Sequence, residues 1–200
     1  MKISIQKPIV FAASLMLATS ATFAQDEKKD EPAAAVASKG KVTQLKVGDF
    51  TFSHDEEFAT VENSSPMVKA KLKREDKESG GIANLSFYFF GAGQGGSTEA
   101  NIDRWKKQFQ GEPKVETKSV KYGDTKVTII HATGTYLDGP PFGQKTPREG
   151  YALLGAILEG KTAPVFLKMT GSGKAVDAAK KAFDKLVASP FGDTKAEEVK

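Results

Sequence analysis

The run Tyr151-Ala152-Leu153-Leu154-Gly155-Ala156-Ile157-Leu158 contains no charged residue and lies between Gly150 and Gly160. Read as a strand, it points side chains alternately to opposite faces, and both faces are apolar. Such a strand needs a covering layer on each side, so it belongs in the middle of a sheet with something packed above and below. Val165-Phe166-Leu167-Lys168-Met169 follows the Gly160 turn and pairs with it. Upstream, Val68, Ala70 and Leu72 alternate with Lys69, Lys71 and Lys73, the pattern of a half-buried strand with lysines outward, suited to a position near a sheet edge. Leu85-Ser86-Phe87-Tyr88-Phe89-Phe90 is a strand with aromatics on both faces, and Val127 to Ala132 pairs as a hairpin with Val115 to Tyr122 across the Gly123-Asp124 turn.

Two helical patterns interrupt these strands. Ser97 is the N-cap of the first, Glu99 suits its first turn, and Ile102, Trp105 and Phe109 form its apolar stripe. The second spans Gly173 to Ala188, buries Val176, Ala179, Phe183 and Leu186, and ends at Ser189-Pro190. Hairpins interrupted by helices define an α+β fold, a mostly antiparallel central sheet with two main helices packed on it.

The amino terminus reads as an export signal over residues 1–24. Lys2 and Lys7 precede the apolar stretch Ile9 to Ala18, and Ala21-Thr22-Phe23-Ala24 supplies small residues where a signal peptidase cuts. The apolar stretch is about half of the roughly 20 residues a membrane-spanning helix needs, so cleavage and release are expected, with no stable membrane span afterwards. The destination is the periplasm or the exterior. With no cysteine in the chain, neither a lipid anchor on sulfur nor a disulfide is available. Residues 25–44 read as a polar flexible linker, 45–189 as a single domain, and 190–200 as a frayed tail. Without Lys2 and Lys7, the 29 basic residues fall to 27 against 25 acidic, a balance of +2. Only Arg74, Arg104 and Arg148 supply guanidinium groups. That charge distribution argues against a nucleic-acid partner, which calls for clustered Lys and Arg.

Several motifs invite chemistry and fail on inspection. Gly91-Ala92-Gly93-Gln94-Gly95-Gly96 fits the spacing of a dinucleotide fingerprint after a strand and before a helix, with Glu116 near the distance of a ribose-binding acid. However, the segment after the helix is charged and hairpin-paired, and Glu99 places a negative charge where a pyrophosphate would sit. The glycines read better as a tight reversal. Gly171-Ser172-Gly173-Lys174 resembles a phosphate loop, but Lys168 stands where the first glycine belongs and Ala175 where Ser or Thr must hold magnesium. His54 and His131 are the sole histidines, too few with no thiolate for a zinc site. No G-x-S-x-G elbow occurs. No catalytic residue, cofactor or metal ligand is therefore assigned. An unrecognised hydrolase site would have to be built on His131 or on Asp55, Glu56, Asp103 or Asp138.

Two loops remain. The Gly91–Gly96 segment carries Gln94, and the long segment from Leu137 to Glu149 carries three prolines together with Phe142 and Arg148. Candidate binding residues are Gln94, Arg104, Trp105, Tyr136, Pro141, Phe142 and Arg148. If the two loops work together, they should sit on one edge of the sheet around a concave surface. The competing reading makes 137–149 a plain crossover packed by Phe142.

Gly93-Gln94-Gly95-Gly96-Ser97, Asn101-Ile102-Asp103-Arg104-Trp105, Gly134-Thr135-Tyr136, Gly139-Pro140-Pro141-Phe142, Tyr151 to Glu159 and Pro164-Val165-Phe166 together resemble an uncharacterised family of exported bacterial proteins of planctomycete type. The likeness covers about Leu45 to Ala188. In strand and helix order the chain also resembles the PsbP and Mog1 type of sandwich. That resemblance implies a binding or assembly module for a protein partner or small ligand, and no catalytic residues.

Overall fold

The computed structural model describes residues 41–140 and 143–199, so the export segment 1–24 and most of the linker lie outside the described residues. Strands β1 (Thr43–Val47) and β2 (Phe50–His54) form a separate two-stranded hairpin. Then come β3 (Ala59–Val61), β4 (Val68–Glu75), β5 (Ile82–Phe89), α1 (Thr98–Lys106), β6 (Phe109–Tyr122), β7 (Thr125–Asp138), β8 (Thr146–Leu158), β9 (Val165–Ser172), α2 (Gly173–Ala188) and β10 (Ala196–Glu198). A 3-10 turn over Ser189–Phe191 follows α2. The main sheet has the order β10-β6-β7-β8-β9-β5-β4-β3, and every neighbouring pair is antiparallel.

Strand β8 sits near the centre, as its doubly apolar sequence demands. Ala152, Leu154, Ala156 and Leu158 point to one face and join Leu85, Phe87, Leu167 and Met169 under Val176, Ala179, Phe183 and Leu186 of α2. The β1–β2 hairpin contributes Val47, Phe50 and Phe52 to this core. Leu153 and Ile157 point the other way and join Ile130, Ala132 and Phe166 under Trp105 of α1, with Phe109 and Tyr136 beside them. The two helices thus cover opposite faces, making three layers. Ser97 and Ser172 cap α1 and α2, their hydroxyls accepting from Ala100 N at 3.2 Å and Ala175 N at 3.4 Å. These are the caps that spare the first-turn amides from lacking a partner.

Several expectations are corrected. The linker stops earlier than 44, since β1 begins at Thr43. Phe109 is the first residue of β6 and not part of the α1 stripe, because α1 ends at Lys106. The 137–149 segment is not a long loop. Strand β7 runs on to Asp138 and β8 starts at Thr146, with Leu137 paired to Pro147 and Asp138 to Thr146. Pro147 misleads there because proline is compatible with the start of a strand. The 190–200 tail also contributes structure. Ala196–Glu198 pairs with β6 through Val120 to Tyr122, which covers that strand's open edge. Among the described residues, no helix is long and apolar enough to cross a membrane.

Candidate functional site

On the α1 face of the sheet, an open cleft of about 460 Å³ lies between the helix and the end of the β7–β8 hairpin. The sheet alternation builds its floor. Phe166 and Lys168 are two apart on β9 and point to the same face, as do Tyr88 on β5 and Phe90 just after it. Gly155 lies beside Lys168 in the β8–β9 register, and the Trp105 indole rests against Gly155. A methyl group at 155 would meet the indole Cζ3 at 2.4 Å, so the absence of a side chain is what lets α1 sit this close.

The wall beside α1 is held by a buried asparagine. Asn101 is 3% exposed; its Nδ2 donates to Gly95 O at 2.7 Å and to Ser97 O at 2.8 Å, and its Oδ1 accepts from Arg104 Nη1 at 3.0 Å. One side chain therefore fixes the glycine-rich turn after β5, the start of α1 and the Arg104 guanidinium. The turn reverses the chain between β5 and α1; the strands β5 and β6 on either side of α1 are not parallel neighbours, which disposes of a dinucleotide fold.

Lys168 is the chemical centre of the cleft. It is partly buried, and its ammonium donates to Gln108 Oε1 at 3.0 Å and to Tyr136 Oη at 3.3 Å. The Tyr136 hydroxyl itself donates to Gln108 Oε1 at 2.8 Å. Burial disfavours the charged lysine and brings it down to about 8, with the positive Lys145 adding to the effect and Asp138 opposing it. Burial likewise pushes the Tyr136 phenol up to about 12, helped by the negative charge of Asp138. Arg104, Lys107 and Lys145 stand around the opening, and among the described residues no Asp or Glu lines the cleft. Among the described residues, none of these four cations forms an ion pair with a carboxylate. Lys145 donates instead to the carbonyls of Gly139 at 3.0 Å and of Pro140.

Of the residues singled out in the sequence, Arg104, Trp105 and Tyr136 line this cleft together. Gln94 does not; it is exposed in its turn, its amide donating to Gly91 O at 3.1 Å. Arg148 lies on β8, where its Nε is 3.7 Å from Asp138 Oδ2, outside the cleft lining. Pro141 and Phe142 lie outside the described residues. Lys168, Gln108 and Asn101 escaped the sequence reading. Lys168 carried a signal, being a lone charge amid Val165 to Met169, all of the others buried. Gln108 and Asn101 carried none.

The alternative residues lie elsewhere. His54 is buried with Nδ1 3.0 Å from Asp55 O, and Asp55 pairs with Lys185 at 2.7 Å. That lysine holds the Asp55 carboxyl below its ordinary range. His131 is on the opposite face, its Nε2 3.5 Å from Asp177 Oδ1 beside a recess that Glu116 and Thr117 also line. The same Nε2 is buried without a hydrogen-bond partner among the described residues.

Fold and cleft together define a three-layer α+β protein with an open, aromatic and cationic cavity on the face of the shorter helix. The chain is similar in structure to the cyanobacterial PsbP (CyanoP) of Synechocystis sp. PCC 6803, with a TM-score of 0.48 and 14% identity over 80% of this chain and 98% of that one. No family model matches the chain, and no curated protein matches it.

Proposed function

We propose that this chain is an exported, non-enzymatic binding module of the bacterial envelope whose ligand seats in the cleft between α1 and the β7–β8 hairpin. One observation carries the reading: a cavity of about 460 Å³ is floored by aromatic rings and fitted with a partly buried lysine that no carboxylate pairs among the described residues. Binding sites combine an apolar wall with a few fixed polar groups in this way, and their volumes fall in the range of roughly 300–1,000 Å³. Export rests on the leader pattern of residues 1–24, and the kinship with exported planctomycete-type proteins belongs to the same proposal.

The test is a ligand-observed NMR screen of mixed anionic, cationic and neutral compounds against the mature chain and against Leu137→Trp, which narrows the cleft. Compounds held by the first and released by the second support the reading. A screen in which no compound distinguishes the two rejects it. Amino-terminal sequencing of the envelope form should begin at Gln25; retention of Met1 would reject export with cleavage.

A hydrolase remains as a second reading because of His131, a partly exposed histidine near Asp177 whose buried Nε2 has no hydrogen-bond partner among the described residues. It requires turnover of model esters, amides or phosphates that His131→Leu abolishes. Turnover that survives His131→Leu would move the hydrolase to Asp55, Glu56, Asp103 or Asp138 and count against a non-enzymatic module, whereas no turnover favours the binding module.

A further inference from the structure

The cleft is a cation without its counter-ion. Lys168 uses two of its three ammonium hydrogens on Gln108 Oε1 and Tyr136 Oη, both uncharged acceptors. The third has no acceptor among the described residues. Even a partly buried ammonium loses hydration unless an opposite charge meets it, and ordinarily the protein supplies a carboxylate. Here the lining offers three more cations and, among the described residues, no acid. Asp138, the nearest carboxylate that acts on Lys168, faces Arg148 at 3.7 Å. Beside the lysine lie the rings of Trp105 and Phe166, both nearly fully buried at 6% and 2% exposure, and the rings of Tyr88 and Phe90.

Resting on the binding-module reading above, we propose that the ligand is a small organic anion, a carboxylate or phosphate monoester on a flat apolar body. Its oxyanion meets Lys168 at the floor, Arg104 and Lys145 draw it in from the rim, and its body lies along the aromatic wall. The charged head satisfies the third ammonium hydrogen, and the apolar body displaces water from the rings.

The experiment measures four probes by calorimetry against the mature chain: 2-naphthoate, 2-naphthyl phosphate, neutral 2-naphthalenemethanol and inorganic phosphate. The two naphthyl anions are expected to bind at least about tenfold more tightly than the alcohol, as a charge-assisted hydrogen bond dictates. Which of the two is tighter tells a carboxylate ligand from a phosphate one. Inorganic phosphate is expected to bind at least about tenfold more weakly than naphthyl phosphate. Lys168→Met should remove the preference for the anions while leaving the alcohol's affinity in place.

A second readout is the pH dependence of binding. The affinity for naphthoate should fall about tenfold per pH unit above about 8, as Lys168 gives up its proton. The other groups facing it are Tyr136, Tyr88, Arg104, Lys107, Lys145 and Asp138. Burial raises both phenols above their ordinary range, away from the region where Lys168 titrates. The fall should be absent in Lys168→Met.

Equal affinity for the alcohol and the naphthoate, or inorganic phosphate binding as tightly as naphthyl phosphate, would overturn the proposal. So would the absence of any probe binding. If cationic or neutral compounds occupy the cleft in the broader screen while these anions do not, the ligand class is wrong and the binding module stands.

Discussion

Gly155→Ala tests the packing that forms the cleft floor. The new methyl would lie 2.4, 2.8 and 3.0 Å from Cζ3, Cε3 and Cη2 of Trp105, whereas ordinary contact begins at 3.4 Å, so the indole must retreat by about 1.0 Å. Two effects compete. Gly155 does not adopt a left-handed conformation, so alanine fits its backbone and restricts the unfolded chain, a gain of about 0.4–1 kcal/mol. Overpacking of a well-filled core costs about 1–3 kcal/mol. The indole is rigid, 6% exposed and anchored on a capped helix, so it cannot swing clear as a flexible side chain would. The clash should win, leaving a net loss of roughly 0.5–2 kcal/mol. For a domain of this size that lowers the melting temperature by about 2–6 °C. Trp105 is the one tryptophan in the chain, so its fluorescence reports the displaced residue directly. The expected record is an earlier urea midpoint with an unchanged slope, together with a red-shifted native emission. A variant as stable as the parent with the same emission would refute the contact between α1 and β8, and with it the floor of the cleft.

Other perturbations have directions set by the same structure. Lys168 has its folded value lowered to about 8 from an ordinary 10.5, so it opposes folding fully below about 8 and is relieved as pH rises towards 10.5. Chemical denaturation of the parent should therefore gain up to about 3 kcal/mol over that span relative to Lys168→Met, and parallel pH curves would contradict the burial of that charge. Ser189→Ala removes a hydroxyl that accepts from Ser53 N at 2.8 Å and donates to Leu186 O at 2.7 Å, and should cost about 1–3 kcal/mol in urea unfolding by stranding the Ser53 amide. His131→Leu should leave stability equal or higher, because it replaces an unpartnered buried nitrogen with carbon; a loss above about 2 kcal/mol would mean that His131 has a partner. Removing residues 193–200 should speed hydrogen exchange at the β6 amides paired with β10 while leaving α2 protected, as Ala196–Glu198 covers that edge alone.

Much of the fold was legible because burial imposes a period. The residues of β8 are apolar on both faces, and both faces are covered; α2 runs from Gly173 to Ala188 with Val176, Ala179, Phe183 and Leu186 inward, as its spacing requires. Register and edges were less legible. Strand β10 is Ala-Glu-Glu, wholly exposed, and it pairs through its backbone alone, which leaves no mark on the side chains. The ends of β7 and β8 are exposed ladder too, so their prolines and glycines resembled a loop. The site was legible only in part, for the same reason. Arg104, Trp105 and Tyr136 drew notice as aromatic or guanidinium groups, whereas Gln108 and Asn101 act by where the fold brings them. Asn101 fixes the cleft wall through two backbone carbonyls on the preceding turn, a geometry that residue type alone does not announce.

The cleft itself follows from unequal helices on a sheet that both must cover. Helix α2 has 16 residues and α1 has 9, or about 24 Å against about 14 Å of rod. The longer helix shields the centre of its face, so Leu167 and Met169 of β9 are buried there in aliphatic contact. The shorter helix ends beside Trp105 and leaves the far part of the opposite face bare. Side chains two apart on β9 must share that face, so Phe166 can be sealed by Phe90 while Lys168 falls at the margin where cover runs out. A leucine at 168 would extend the apolar floor and invite closure. Lysine keeps the margin polar, its ammonium held by Gln108 Oε1 and Tyr136 Oη and not by an apolar neighbour. A short helix and one charged residue in a largely buried strand are therefore sufficient to turn incomplete packing into an open cleft.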